Sequence, residues 1–117
     1  MKKIGILLIS SDYTFIQEST VFCNDFIYSI IPCDNNINMI SLLNLEHKIK
    51  KSASEFPKDI EKIAFGCTCA SVVIGPDRVR SIIHEVHPNI PIITPITAVL
   101  DAFNVLKVKN IGLVSPY

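Results

Sequence analysis

The sequence predicts an α/β domain, a doubly wound parallel four-stranded sheet flanked by helices, followed by the first strand of a second, similar domain. Three observations carry this. Short apolar runs alternate with stretches whose apolar residues recur at helical spacing, and Gly and Pro punctuate the junctions. A turn of small residues, Gly66-Cys67-Thr68-Cys69-Ala70-Ser71, also follows directly on one apolar run, Lys62-Ile63-Ala64-Phe65.

Taken in order, Ile4 to Ser10 is a continuous apolar run and reads as the first strand. Thr14 to Ile31 carries Phe15, Val21, Phe22, Phe26 and Ile30 near helical spacing and reads as the first helix, with Cys23 on its packed face. Asn38 to Ser41 is the candidate second strand, and Leu42 to Phe56 the second helix, its lysines at 48, 50 and 51 forming a wet face. Pro57 breaks the chain before a third strand, Ile63 to Gly66. After the cysteine turn, Gly75-Pro76-Asp77 reopens a helix that runs to about His87, with proline well placed at the first helical position. Ile90 to Thr94 is a fourth strand bracketed by prolines, Thr97 to Leu106 a fourth helix capped by Thr97 or its neighbour, and Ile111 to Ser115 a fifth strand. For a doubly wound sheet with right-handed crossovers, the expected strand order is 2-1-3-4, one of the common windings. The two ends of the chain are alike: Lys2-Lys3-Ile4-Gly5-Ile6-Leu7 aligns with Lys109-Asn110-Ile111-Gly112-Leu113-Val114. Residues 1–108 therefore read as one domain and residues 109–117 as the opening of another.

Composition narrows the function classes. Lys plus Arg and Asp plus Glu are equal at 11 each, so no global field draws the chain to nucleic acid or to an anionic membrane. No apolar stretch approaches the roughly 20 residues of a membrane span. Met1-Lys2-Lys3 leads straight into a strand, which points to a cytoplasmic protein. Cysteines at 23, 33, 67 and 69 match neither a CxxC redox pair nor a zinc pattern, so no metal site is expected. The glycine-rich dinucleotide fingerprint is absent from the first βα turn, since Gly5 and Gly112 lie inside strands. His47, His84 and His87 lack paired ligand spacing and read as solvated surface.

The cysteine turn is the candidate site. In an open parallel sheet, ligands bind at the carboxyl ends of the strands, and Cys67 falls there. The small residues after it allow a helix to start at once, with amides that favour an anion and favour thiolate over thiol. The bland alternative is a buried, inert thiol, since cysteine is among the most buried residue types. Cys69 also reads as a small packing residue, Cys33 is assigned no role, and Asp12 suits the cap of the first helix. A phosphocysteine enzyme would need Arg six residues after the cysteine, where this chain has Val73.

Three segments together resemble the aspartate/glutamate racemase superfamily, and within it the branch of maleate cis-trans isomerases and arylmalonate decarboxylases. They are Ile9-Ser10-Ser11-Asp12 through Glu18, the turn Gly66 to Ser71, and Ile111-Gly112-Leu113-Val114-Ser115-Pro116-Tyr117. The amino-acid racemases show Cys-Asn-Thr where this chain has Cys-Thr-Cys, and its Ser-Pro-Tyr is similar to the Thr-Pro-Tyr of the isomerase branch. Members of the superfamily set two similar α/β domains across a cleft, each supplying one cysteine. The resemblance therefore implies that this chain is the first domain of a cofactor-independent racemase or isomerase acting on a small carboxylate. It implies Cys67 as base or nucleophile, with Thr68 and the amide of Cys69 binding the carboxylate, Tyr117 donating its phenol and Ser10 and Ser11 lining the cleft. Asp12 stands where the isomerase branch has Asn and would set a negative charge beside an anionic substrate, which argues against maleate itself. An enediolate formed beside a carboxylate needs a cluster of donors, which hydroxyls and helix-terminal amides supply without a metal. The isolated domain would lack half the cleft, so a monomer should turn over little, and two copies could pair as a homodimer to complete it. A carboxylate-binding remnant without chemistry is the alternative, as is an arylmalonate-type decarboxylase.

Overall fold

The computed structural model describes residues 3–115. The first strand is β1 (Ile4–Ile9), and a short helix α1 (Phe15–Ser19) follows it. The chain then enters β2 (Phe26–Ile31), where the sequence reading placed the second half of a long helix. The correction has a local and a tertiary cause. Cys23-Asn24-Asp25 favours a turn over a helix, with the Asp25 N–H donating to Cys23 Sγ at 3.4 Å. Beyond it, Phe26-Ile27-Tyr28-Ser29-Ile30-Ile31 is aromatic and β-branched, and it pairs with all six residues of β1 from Ile4↔Phe26 to Ile9↔Ile31. Phe22, read as part of a packed helix face, is consequently 87% exposed.

Asn38 to Ser41, expected as a strand, starts a helix instead. The Asn38 side chain accepts from Ser41 N–H at 3.0 Å and Ser41 Oγ accepts from Asn38 N–H at 2.9 Å, a reciprocal cap on α2 (Met39–Asn44). After a break at Leu45, α3 (Glu46–Ala53) completes the expected second helix. The third strand is β3 (Lys62–Phe65); the cysteine turn starts α4 (Thr68–Val73), and Gly75, at φ +93°, turns the chain into α5 (Pro76–His84). The fourth strand, β4 (Ile92–Ile93), is only two residues long, flanked by Pro91 and Pro95, which cannot donate to a ladder. Thr94 caps α6 (Pro95–Val105) by a reciprocal bond with Thr97. Ile111 to Ser115, expected as a fifth strand, is not in a strand, and the sheet among the described residues has four.

The sheet is parallel throughout, in the order β2-β1-β3-β4; this is the 2-1-3-4 order expected from the sequence, with Phe26–Ile31 as the second strand in place of Asn38 to Ser41. Because side chains alternate along a strand, Leu7, Ile31, Ile63 and Phe65 fall on one face, and there α2, α3 and α5 bury Leu42, Leu45, Ile49, Val79 and Ile83 against them. The other face carries Ile6 and Leu8, both buried, and Tyr28, whose phenol meets Ser19 Oγ of α1 at 2.5 Å. His87, read as surface, is buried: its Nε2 lies 2.9 Å from the carbonyl of Ala53 and its ring tilts against Phe56. No helix among the described residues is long and apolar enough to cross a membrane.

Candidate active site

Parallel strands bring their carboxyl ends to one edge, so the turns after β1, β2 and β3 meet there. Between the first and third of these lies a cleft of about 620 Å³. One wall is the run Ser11 to Thr14 after β1, and the other is the turn Gly66 to Cys69 after β3. Gly66 is required by close approach, since a Cβ there would lie 2.6 Å from Leu8 Cδ2 and 3.0 Å from the Leu7 carbonyl. The Gly66 N–H also donates to that carbonyl at 2.7 Å, which clamps β3 to β1 just before the cysteine.

Cys67 is the residue that caps α4. Its backbone is extended, and its sulfur accepts from the Ala70 N–H at 3.5 Å. The side chain is 8% exposed and borders the hydrophobic core as well as the cleft. Burial pushes the Cys67 thiol up from its ordinary value. Hydrogen bonds from the amides of Ala70 and Cys69 oppose the shift without reversing it, and the neighbouring thiols of Cys69 and Cys33 add to it. The sequence reading anticipated the helix-terminal amides and the thiolate they favour; the amides are there, but loss of water around the sulfur outweighs them.

The other candidates divide by position. Thr68 and Cys69 line the cleft at the start of α4, and Cys69 is exposed. Ser71 is fully buried, its hydroxyl donating to the Thr68 carbonyl at 2.7 Å, which holds the turn in shape. Ser11 and Asp12 line the opposite wall. Asp12 Oδ1 accepts from the N–H groups of Phe15 at 3.0 Å and Thr14 at 3.3 Å, so the carboxylate closes the entry to α1 while it borders the cleft. The Ser10 hydroxyl turns away from the cleft toward Cys33. Tyr117 lies outside the described residues.

Cys33 is the residue that sequence reading passed over. It follows β2, and its sulfur lies 3.2 Å from Ser10 Oγ. Burial raises the Cys33 pKa, but hydrogen bonds from Ser10 and Ser11 outweigh burial and leave it below the ordinary thiol value. The signal that could have found it was its place directly after a strand, but that strand was read as helix. Among the described residues no three His, Cys, Asp or Glu side chains gather in the manner of a metal site.

A parallel α/β domain with a cysteine capping the helix after its third strand, facing a loop from the first, defines the class to which this site belongs. No family model and no curated protein matches the sequence. Among solved structures, the chain is similar to the crystal structure of the maleate isomerase Iso from Pseudomonas putida S16, with a TM-score of 0.63 at 17% identity. The match covers 91% of this chain and 50% of that one, so the chain has the fold of a maleate isomerase over about half the length of that protein.

Proposed function

We propose that this chain is half of the catalytic unit of a cofactor-independent isomerase or racemase that acts on a small carboxylic acid by cysteine chemistry. The observation that supports it most directly is the place of Cys67: at the carboxyl end of a central strand, capping a helix, in a cleft open to solvent. Its likeness in fold to a maleate isomerase is the second support. In this reading the Thr68 hydroxyl and the amide of Cys69, which would exchange the Cys67 sulfur for a ligand oxygen, take the carboxylate, and Cys67 removes the neighbouring proton or adds to a conjugated double bond. Asp12 on the far wall disfavours a second carboxylate there, so a monocarboxylate or a dicarboxylate with one end directed away from Asp12 fits better than maleate in an extended pose.

A second α/β unit would complete the cleft. Residues 109–117 opening such a unit, or a second copy of the chain forming a homodimer, are the two ways to supply it. The helix α6 has no buried residue despite Val99, Leu100 and Val105, which leaves it available for such a contact. Light scattering reads the difference: a mass of one chain at working concentration counts against the homodimer.

The test of function is turnover in deuterium oxide followed by NMR: exchange of the α-proton for aspartate and glutamate, conversion of the cis to the trans alkene for maleate, and loss of one carboxylate for an arylmalonate. The monomeric 117-residue chain should show little turnover, and any turnover should vanish in Cys67→Ala. Turnover that survives Cys67→Ala would overturn the assignment. A non-catalytic carboxylate-binding module is the second reading, favoured by the burial that raises the Cys67 pKa. It predicts that carboxylates protect Cys67 from alkylation while turnover stays at background in every assembly state.

A further inference from the structure

The end of β2 carries a group that the proposed chemistry does not use. The Cys33 N–H donates to Ser10 Oγ at 2.9 Å, and the Ser10 hydroxyl in turn lies 3.2 Å from Cys33 Sγ and 3.4 Å from the Cys33 carbonyl. The Ser10 main-chain N–H donates to the Ile31 carbonyl at 3.0 Å. Ser10 is thus held by the end of β2 through both its backbone and its side chain. The next residue, Ser11, begins the wall that faces Cys67. The remaining ties of the wall run to β1 or within the wall itself: Asp12 N–H to the Ile9 carbonyl at 3.0 Å, and Asp12 Oδ1 to the amides of Thr14 and Phe15. The lateral tie to the neighbouring strand comes from the Ile31 carbonyl and from Cys33, and Cys33 is the part that holds the Ser10 side chain.

We propose that Cys33 is a positioning residue of the Cys67 cleft, which through Ser10 anchors the Ser11 to Thr14 wall against the end of β2. Because β1 lies between β2 and β3, Cys33 stands about two strand spacings, roughly 10 Å, from the Cys67 turn, and its positional influence on that turn runs through the wall. The assignment rests on Cys67 being the working thiol of the site. It concerns access to that thiol, so it can fail or stand independently of any turnover.

The experiment is the iodoacetamide labelling rate of each cysteine, resolved by peptide mass spectrometry, in the unaltered chain and in Cys33→Val, Cys33→Ser, Ser10→Ala and the Ser10→Ala/Cys33→Val double variant. Freeing the wall should speed labelling of Cys67, which is 8% exposed, while the rate at Cys23, remote from the cleft edge, stays constant. Ser10→Ala removes all three contacts and should raise the Cys67 rate by about fivefold or more; Cys33→Val removes only the sulfur contact and should raise it by more than about twofold, with the double variant no faster than Ser10→Ala, as expected of residues acting through one cluster. Cys33→Ser keeps a hydroxyl partner for Ser10 and should stay within about twofold of the unaltered chain. Rates within about twofold in both Cys33→Val and Ser10→Ala, multiplicative effects in the double variant, or a Cys33→Ser as fast as Cys33→Val would each overturn the proposal. If Cys33→Val does not fold, Ser10→Ala and Cys33→Ser decide it by the same criteria. Loss of carboxylate protection at Cys67 with these rates as expected would sink the functional reading and leave the wall tie intact.

Discussion

The Ala70 amide points at the sulfur of Cys67 across 3.5 Å, so the first turn of α4 offers its donor to the thiol before any ligand arrives. The geometry is that of a thiolate-stabilising helix end. Yet the same turn packs the sulfur against the core, and burial prevails over the amide, so the thiol stays protonated through neutral pH. A ligand carboxylate at this turn would therefore meet a neutral thiol rather than compete with an anion.

This ordering predicts which cysteine reacts first. The hydrogen bonds of Ser10 and Ser11 lower the Cys33 pKa, whereas burial raises that of Cys67. Since the thiolate is the nucleophile, iodoacetamide near pH 7 should modify Cys33 before Cys67, and the Cys67 rate should continue to climb with pH after the Cys33 rate has levelled. Peptide mapping of a labelling time course at several pH values checks it. Labelling of Cys67 ahead of Cys33 at pH 7 would show that the helix-end amides outweigh burial after all.

Stability should follow the same sign. A Cys67 whose folded pKa lies above its unfolded value, about 9, stabilises the fold fully below that pH and loses the contribution as pH rises through the higher folded value. The stability of the unaltered chain relative to Cys67→Ala should accordingly fall between pH 8 and pH 11, measured by urea denaturation. A difference that grows over that range would mean that the folded state favours the thiolate.

Gly66→Ala should be among the more damaging single substitutions. The added methyl would sit 2.6 Å from Leu8 Cδ2 and 3.0 Å from the Leu7 carbonyl, and the carbonyl cannot move without breaking its 2.7 Å bond from the Gly66 amide. Overpacking of this kind costs about 1–3 kcal/mol, and displacement of β3 at this point also moves Cys67. The denaturation midpoint should drop with the urea dependence unchanged.

Thr94→Ala tests the entry to α6. Thr94 is 2% exposed, and its hydroxyl accepts from the Thr97 amide at 3.3 Å while Thr97 Oγ1 accepts from the Thr94 amide at 3.1 Å. Loss of such a cap costs about 1 kcal/mol. Thr94→Ser keeps the oxygen and should recover most of that loss in thermal denaturation. If Thr94→Ala were neutral, the cap would be dispensable, and contacts of α6 with α4 would hold the helix alone.

Much of this architecture was legible in the residues. Prolines and small residues marked the ends of β3, β4 and α5, continuous apolar character marked β1, and the 2-1-3-4 winding was expected from the α/β alternation. The candidate turn was also legible, because a cysteine between a buried strand and small helix-starting residues has few other placements. The stretch Phe26 to Ile31 was not, since a short apolar run fits either a helix or a strand by periodicity alone. Misreading it hid Cys33, which takes its place only from the strand before it.

By itself, then, the sequence determined the first strand, the succession of strands and helices from β3 to α6, and the arrival of Cys67 at a strand end, because these depend on neighbours within one turn or one strand. Tertiary structure decided that Phe26–Ile31 is a strand, that Ser10 meets Cys33 across 23 positions of chain, and that burial raises the pKa of Cys67. Each of these depends on what lies against a residue in space: a ladder partner, a hydroxyl from another strand, or a core that excludes water from a sulfur.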